Sequence, residues 1–380
     1  MKKFNLVTAK YILTPLCVIL IAHLISSCKK EPITTKTTPV NTLLANTVFE
    51  GGSDSTFYAI DAFSGNLKWK YAASGWFSSS SPTVSNGIVY AGNVNNNMYA
   101  FDAVTGALKW QFNTGGSIES SPVIANGLVY FGSDDYKFYV LDAISGNLKW
   151  SFTTGHNLSS TPKIVGGTVY FGSDDSYVYA LDAMTGTLKW KYLTGGIINA
   201  SSPAVANNIV YIGSRDGNLY ALDAASGQLK WKYYADGISL EMTRPVVVNN
   251  TVYFSGWYNT ADFTQAGSLY AVSASTGTLL WKSLNNLGFS SGPVIANGTL
   301  YISADDGNFY AINATSGSVI WKNQILPNGS LPAITNSAVY VGGGRAFYAL
   351  NPLTGSVEWQ FAVPNSLLSS KPYVTDADGN

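Results

Sequence analysis

The chain has 380 residues, with 22 basic and 22 acidic side chains, and only 12% of its residues are charged, about half the share usual in a soluble domain. Aromatic residues make up 13%, Gly counts 37, and there are two Cys and two His. This excludes a disordered chain, which needs more charge and fewer aromatics, and a nucleic-acid binder, which carries a basic excess. It also leaves almost no ligands for a haem, a zinc site or a disulfide framework. A globular, β-rich protein with ample apolar material for a core remains.

Met1-Lys2-Lys3 opens the chain, a mostly apolar run extends from Tyr11 to Ile25, and Ser26-Ser27-Cys28 follows. A basic start, a short apolar stretch and small residues before a cut site describe a secretory signal peptide over residues 1–27. The run contains Thr14, Pro15 and His23 and is marginal for a membrane-spanning helix. Ile25-Ser26-Ser27-Cys28 resembles the bacterial lipobox, in which Cys28 becomes the lipidated first residue. An ordinary signal peptide with a chance Cys, or an uncleaved anchor, is the competing reading. With the lipobox, Cys17 leaves with the signal and Cys28 carries lipid, so the folded part has no thiol. Lys2, Lys3 and Lys10 leave too, so the mature chain has three more acidic than basic residues. Residues 28–45, rich in Thr and Pro, read as a flexible tether. By analogy with enterobacteria, where Asp after the lipidated Cys retains a lipoprotein at the inner membrane, Lys29 points to the outer membrane. Whether the protein faces the periplasm or the exterior stays open.

From residue 46 onward a period of about forty residues governs the sequence. Trp marks it at Trp69, Trp110, Trp150, Trp190, Trp231, Trp281, Trp321 and Trp359. Four residues before each stands a Gly (Gly65, Gly106, Gly146, Gly186, Gly227, Gly277, Gly317 and Gly355). Eight before each Trp stand Asp61, Asp102, Asp142, Asp182 and Asp223, then Ser273, Asn313 and Asn351. Each unit divides into four short strands. In the third, Pro122-Val123-Ile124-Ala125 meets a hairpin signal at Asn126-Gly127. Leu128–Gly132, Phe138–Leu141 and Leu148–Phe152 follow. Four strands per unit with Trp and Gly markers predict an all-β fold, an eight-bladed β-propeller of four-stranded antiparallel blades spanning residues 46–380. No segment shows a helical period.

In the Asp-x-x-Thr/Ser-Gly turn, the first side chain accepts hydrogen bonds from turn amides and Gly supplies positive φ. The Trp falls on the outermost strand, where it packs against the next blade and covers an edge. The pairs Asp134/Asp135, Asp174/Asp175 and Asp305/Asp306 read as turn caps rather than Ca²⁺ ligands. Unit one lacks a good first strand, and Ser369–Thr375 forms one with nothing after it. The C-terminal strand is therefore expected to complete blade one, with Thr38-Pro39-Val40 as the competing choice.

Ala-x-Asp-x-x-Thr-Gly-x-x-x-Trp resembles the tryptophan-docking repeat of quinoprotein (pyrroloquinoline quinone, PQQ) dehydrogenases and their non-enzymatic relatives, over residues 46–376. The resemblance implies eight blades. A lipid anchor and a Cys-free propeller are most similar, within that family, to the lipoprotein of the outer-membrane barrel-assembly machinery. The enzymes of the family use PQQ with Ca²⁺, commonly an adjacent Cys-Cys disulfide, and often a haem at Cys-x-x-Cys-His. No Cys remains in the mature fold, and before the repeated Pro residues only Glu119, Arg244 and Lys371 break a mostly Ser pattern with charge. No cofactor, metal or catalytic residue is therefore expected.

A binding face is expected where first-strand entrances and second-to-third-strand turns converge, and departures from the repeat there are the candidates. They are Trp76, Phe77, Glu119, His156, Glu241, Arg244, Phe289 and Lys371, with Trp257, Tyr258 and Phe263 in the ten-residue excess of unit six. These last three read as lying outside the strand pattern, and the apolar ones suit a binding rim or a plug. His156 reads as a surface loop residue. The expectation is a monomeric, non-catalytic, lipid-anchored scaffold binding a protein of the cell envelope. Binding of a glycan or small ligand in the funnel is the alternative, and PQQ-dependent dehydrogenation the least supported reading.

Overall fold

A computed structural model describes residues 46–375 apart from 78, 241–242, 260–264, 290, 328–329 and 364–370. The expected lipidation site Cys28 and the candidates Glu241 and Phe263 lie outside the described residues. Eight four-stranded antiparallel sheets follow one another along the chain, and no helix occurs among the described residues. Seven sheets use four consecutive strands. Blade one combines Thr47–Gly51, Thr56–Asp61 and Leu67–Ala72 with the C-terminal Tyr373–Val374 as its innermost strand. Phe49 pairs with Tyr373 and Val48 with Val374. Thr375 reinforces the junction, its hydroxyl accepting from Thr47 N at 2.9 Å and its own N donating to Thr47 O at 3.0 Å. The ring thus closes through the C-terminal strand.

Burial explains the apolar runs. Second and third strands, such as Leu128–Gly132 and Lys137–Asp142, are covered on both faces by the neighbouring blades, so they lack simple alternation. Outer strands alternate toward solvent. The hairpin between first and second strands is a left-handed turn where expected, with φ 51° at Asn126 and 74° at Gly127, as a type I′ connection requires.

The repeated Trp docks each blade onto the next. Trp110 Nε1 donates to Ala143 O at 3.1 Å, and seven of the eight Trp make the equivalent bond to the following blade. Trp359 closes the circle onto Ala62 of blade one at 2.9 Å. The conserved spacing to Gly has a second cause beyond its turn. At Gly146 a Cβ would stand 2.7 Å from the Trp110 ring, and at Gly65 one would stand 2.8 Å from Trp359. Only a residue without a side chain admits the indole there. A bulge recurs in every outer strand, between the pairings Val140–Trp150 and Leu141–Leu148 in blade three, and it sets the direction of the Trp.

The residue skipped by that bulge couples back to the turn. Lys109, Lys149 and Lys230 each reach the repeat Asp at 3.1 Å, and Lys68 and Lys189 do so at 3.6 and 3.4 Å. In blades six to eight the Asp becomes Ser273, Asn313 and Asn351, and the Lys becomes Leu280, Ile320 and Glu358. Asn351 there donates to Glu358 at 3.2 Å. Where the Asp is replaced, the Lys is replaced as well.

Candidate functional site

Entry loops and second-to-third-strand turns lie together on one face, joined by backbone bonds such as Val94 N to Trp76 O and Asp134 N to Ser117 O. At its centre, eight residues stand one before a Pro, one per blade. They are Lys371, Ser81, Ser121, Thr161, Ser202, Arg244, Gly292 and Leu331, in ring order from blade one. All but Gly292 line one cavity of about 460 Å³, with Pro and Val side chains forming much of its remaining wall. Hydroxyls bind successive blades: Lys371 N donates to Ser81 Oγ (2.8 Å), Ser81 N to Ser121 Oγ (2.9 Å) and Thr161 N to Ser202 Oγ (3.1 Å). Thr161 Oγ1 has no partner, so these links stop between blades three and four. Gly292 is required because a Cβ would stand 2.4 Å from Arg244 O.

Charge divides the face into sectors. Arg244 and Lys371 stand at channel positions three blades apart. Burial alone lowers Arg244 to about 10. Burial, and then the Arg244 charge, lower Lys371. Glu119, Asp134 and Asp174 occupy the mouth of blades three and four. Burial, then the charges of Glu119 and Asp174, push Asp134 up to about 6. Burial and Asp174 raise Glu119, and burial raises Asp174. The Asp pairs therefore split in role. The second member caps its turn as expected, Asp135 accepting from Lys137 N at 3.2 Å and from the Tyr139 hydroxyl at 2.6 Å. The first faces the next entry loop instead: Asp174 accepts from Asn199 at 3.2 Å and Asp134 from Ser159 at 3.5 Å. Turn-capping was the wrong role for Asp134 and Asp174.

The expected rim residues separate into two groups. Trp76 is 55% exposed and Tyr258 39%, so both present surface. Phe77 and Phe289 are buried, and the expectation that they form a binding rim is corrected: they are wedges between blades. Phe77 packs between Phe57 and Tyr99 and presses so closely on Gly51 that a Cβ there would stand 2.6 Å away. Ile118, Leu158, Ile198 and Leu240 occupy the corresponding places. Trp257 and Tyr258 are not outside the strand pattern. They extend the second strand of blade six to Thr251–Asn259, paired with Gln265–Ser273, and Trp257 exchanges two backbone hydrogen bonds with Ser239. His156 lies in a surface loop, stacked on Tyr136 with centroids 5.2 Å apart and 3.9 Å from Asp174. Sequence reasoning missed the exposed Tyr136 and Tyr234, whose signal was an aromatic at a turn or strand end where other blades carry smaller or polar groups.

Fold and docking pattern define a tryptophan-docked, PQQ-type eight-bladed propeller. Residues 31–121, 113–264 and 265–378 match the model of the family described as outer membrane protein assembly factor BamB. The chain belongs to that family. Among solved structures it resembles BamB from Moraxella catarrhalis, with 19% identity over 80% of this chain and 95% of that one, at a TM-score of 0.65. It also resembles the computationally designed Ika8 protein, at 17% identity over 84% and 93% with a TM-score of 0.64. Quinohemoprotein alcohol dehydrogenase from Comamonas testosteroni shares 16% identity over 88% of this chain and 73% of the enzyme, with a TM-score of 0.64. No curated protein sequence matches.

Proposed function

We propose that the chain is a non-catalytic scaffold of the bacterial cell envelope, held at the outer membrane by lipid on Cys28, that binds an envelope protein on its entrance face. The observation that carries this reading is the set of exposed rings on the entrance face: Trp76, Tyr136, Tyr234 and Tyr258. Exposed aromatics around a rigid rim are efficient interface anchors, and membership of an assembly-factor family supports a protein as the partner. The donor set does not fit a calcium-held quinone. Arg244 and Lys371 in the channel repel a cation, and among the described residues no three His, Cys, Asp or Glu side chains group for a metal. Dye-linked alcohol or sugar oxidation with added PQQ and Ca²⁺ is therefore expected to give no turnover.

Photocrosslinkers placed in cells at positions 76 and 258 test the scaffold reading against positions 144 and 353. Ile144 and Leu353 are 80% and 82% exposed, but they sit on third-to-fourth-strand turns at the opposite face. Capture of a defined envelope protein from positions 76 and 258 only is the expected result. Capture from the opposite face alone, or from neither, overturns it.

A further inference from the structure

Among the described residues, the channel holds two cations without counter-charges. Neither Arg244 nor Lys371 makes a side-chain ion pair or hydrogen bond among the described residues, yet both line the same cavity. The acids of the face do not serve them: Glu119, Asp134 and Asp174 take their electrostatic perturbations from one another, from Asp135, Asp175 and His156, and not from Arg244 or Lys371. Both residues are only partly exposed, so each unpaired charge carries a desolvation cost, and Lys371 bears the further repulsion of Arg244. A Ser, as in the neighbouring blades, would avoid that cost. The apolar Pro and Val walls weaken competing hydration and strengthen any electrostatic contact made there. At about 460 Å³ the cavity falls within the size range of small-ligand sites.

We infer that this channel binds a small dianion, a phosphate group or a dicarboxylate, between Arg244 and Lys371. The guanidinium offers a planar fork to one pair of oxygens and the ammonium a point charge to the other end. The hydroxyls of Ser81 and Ser121 already accept backbone N–H groups, so their protons are available to the anion, whereas that of Ser202 is donated to Ala200 O at 3.4 Å. Thr161 adds an unpartnered hydroxyl on the same wall. The ligand neutralises both cations at once, which a monoanion cannot do.

The test is thermal unfolding of the full chain in detergent, titrated separately with inorganic phosphate, succinate and acetate at ionic strength held constant with NaCl. Phosphate or succinate is expected to raise the unfolding midpoint in a saturable way, and acetate and chloride are not. Whichever dianion saturates at the lower concentration identifies the ligand class. Arg244→Gln and Lys371→Gln should each raise the half-saturating concentration by about tenfold or more, the worth of one charge-assisted contact, whereas Lys137→Gln at an exposed turn leaves it unchanged. Both channel variants lose an unpaired, half-buried charge, so without ligand they should unfold no earlier than wild type. If Arg244→Gln does not fold, Lys371→Gln and ³¹P line broadening on wild type decide the matter. No dianion-specific shift, or an equal shift in the channel variants, overturns the inference.

Discussion

Two glycines of blade three separate the cost of a turn from the cost of undocking a Trp. Gly127 and Gly146 have nearly the same backbone, φ 74° and 72°. A Cβ at Gly127 would meet nothing within 4 Å, whereas one at Gly146 would stand 2.7 Å from Cδ2 of Trp110. Gly127→Ala therefore carries only the left-handed penalty of about 1–2 kcal/mol, partly offset by a stiffer unfolded chain, and should cost about 1 kcal/mol. In Gly146→Ala the indole must recede by about 1 Å to reach an ordinary carbon–carbon separation. That adds about 1–3 kcal/mol of overpacking and about 1 kcal/mol for the strained bond to Ala143 O. Its total is about 3–5 kcal/mol. Urea unfolding followed by Trp fluorescence measures both variants, and the Gly146 variant should also red-shift the native emission. Equal losses would refute the docking argument. In a Trp110→Ala background the Gly146→Ala cost should fall back to about 1 kcal/mol, the non-additivity expected of contacting residues.

Two further outcomes follow from the closure and from the acidic mouth. Deleting residues 369–380 removes the pairing to Val48 and Phe49 and both Thr47–Thr375 bonds. It should cost about 4 kcal/mol at roughly 1 kcal/mol per hydrogen bond and, by opening an edge, produce oligomers visible by light scattering; unchanged stability would reassign the closing strand. Asp134 is held at about 6 against an ordinary 3.8, so the folded state binds more protons than the unfolded one between these values, and stability falls as pH rises through that window. Lowering the pH from 7 to 5 should add about 0.5–1 kcal/mol after screening at the mouth, and Asp134→Asn should flatten this rise. Below pH 4 the sign reverses, because Asp142 and Asp223 are held at about 2 by turn amides and lose those bonds on protonation. A profile flat from pH 7 to 5 in the wild type would refute the assignment at Asp134.

The repeat made the fold legible because its markers are local. Trp, Gly and Asp recur at fixed offsets, and each acts within one turn or across one blade interface. The C-terminal closure was equally readable, since a first strand was missing at one end and spare at the other. Exposure was not readable. Phe77 and Trp76 are adjacent in one entry loop, yet one is a wedge between blades and the other is open to solvent. The chain passes from one sheet to the next at this point, so neither strand alternation nor helical period assigns a side. The two members of an Asp pair failed for a related reason. Asp135 caps its own turn, a local act, while Asp134 meets Ser159 of the following blade, a contact that no neighbouring residue foretells. The channel layer lay between these cases: the residue before each Pro was visible, but only the closed ring shows that Arg244 and Lys371 share one cavity.

The direction of the Trp contacts has a consequence for how such a molecule can change. Every blade gives its indole forward and receives one from behind, so all eight junctions share one polarity. The protein is a head-to-tail octamer written as a single chain, and the heterologous contact stops propagating only because the rotation per unit completes a circle. No blade is therefore intrinsically first. A chain reopened in the loop between any two blades, with the present ends joined, retains every Trp–Gly junction. Loss or gain of one forty-residue unit would leave each junction chemically intact and alter only the angle at which the eight must meet.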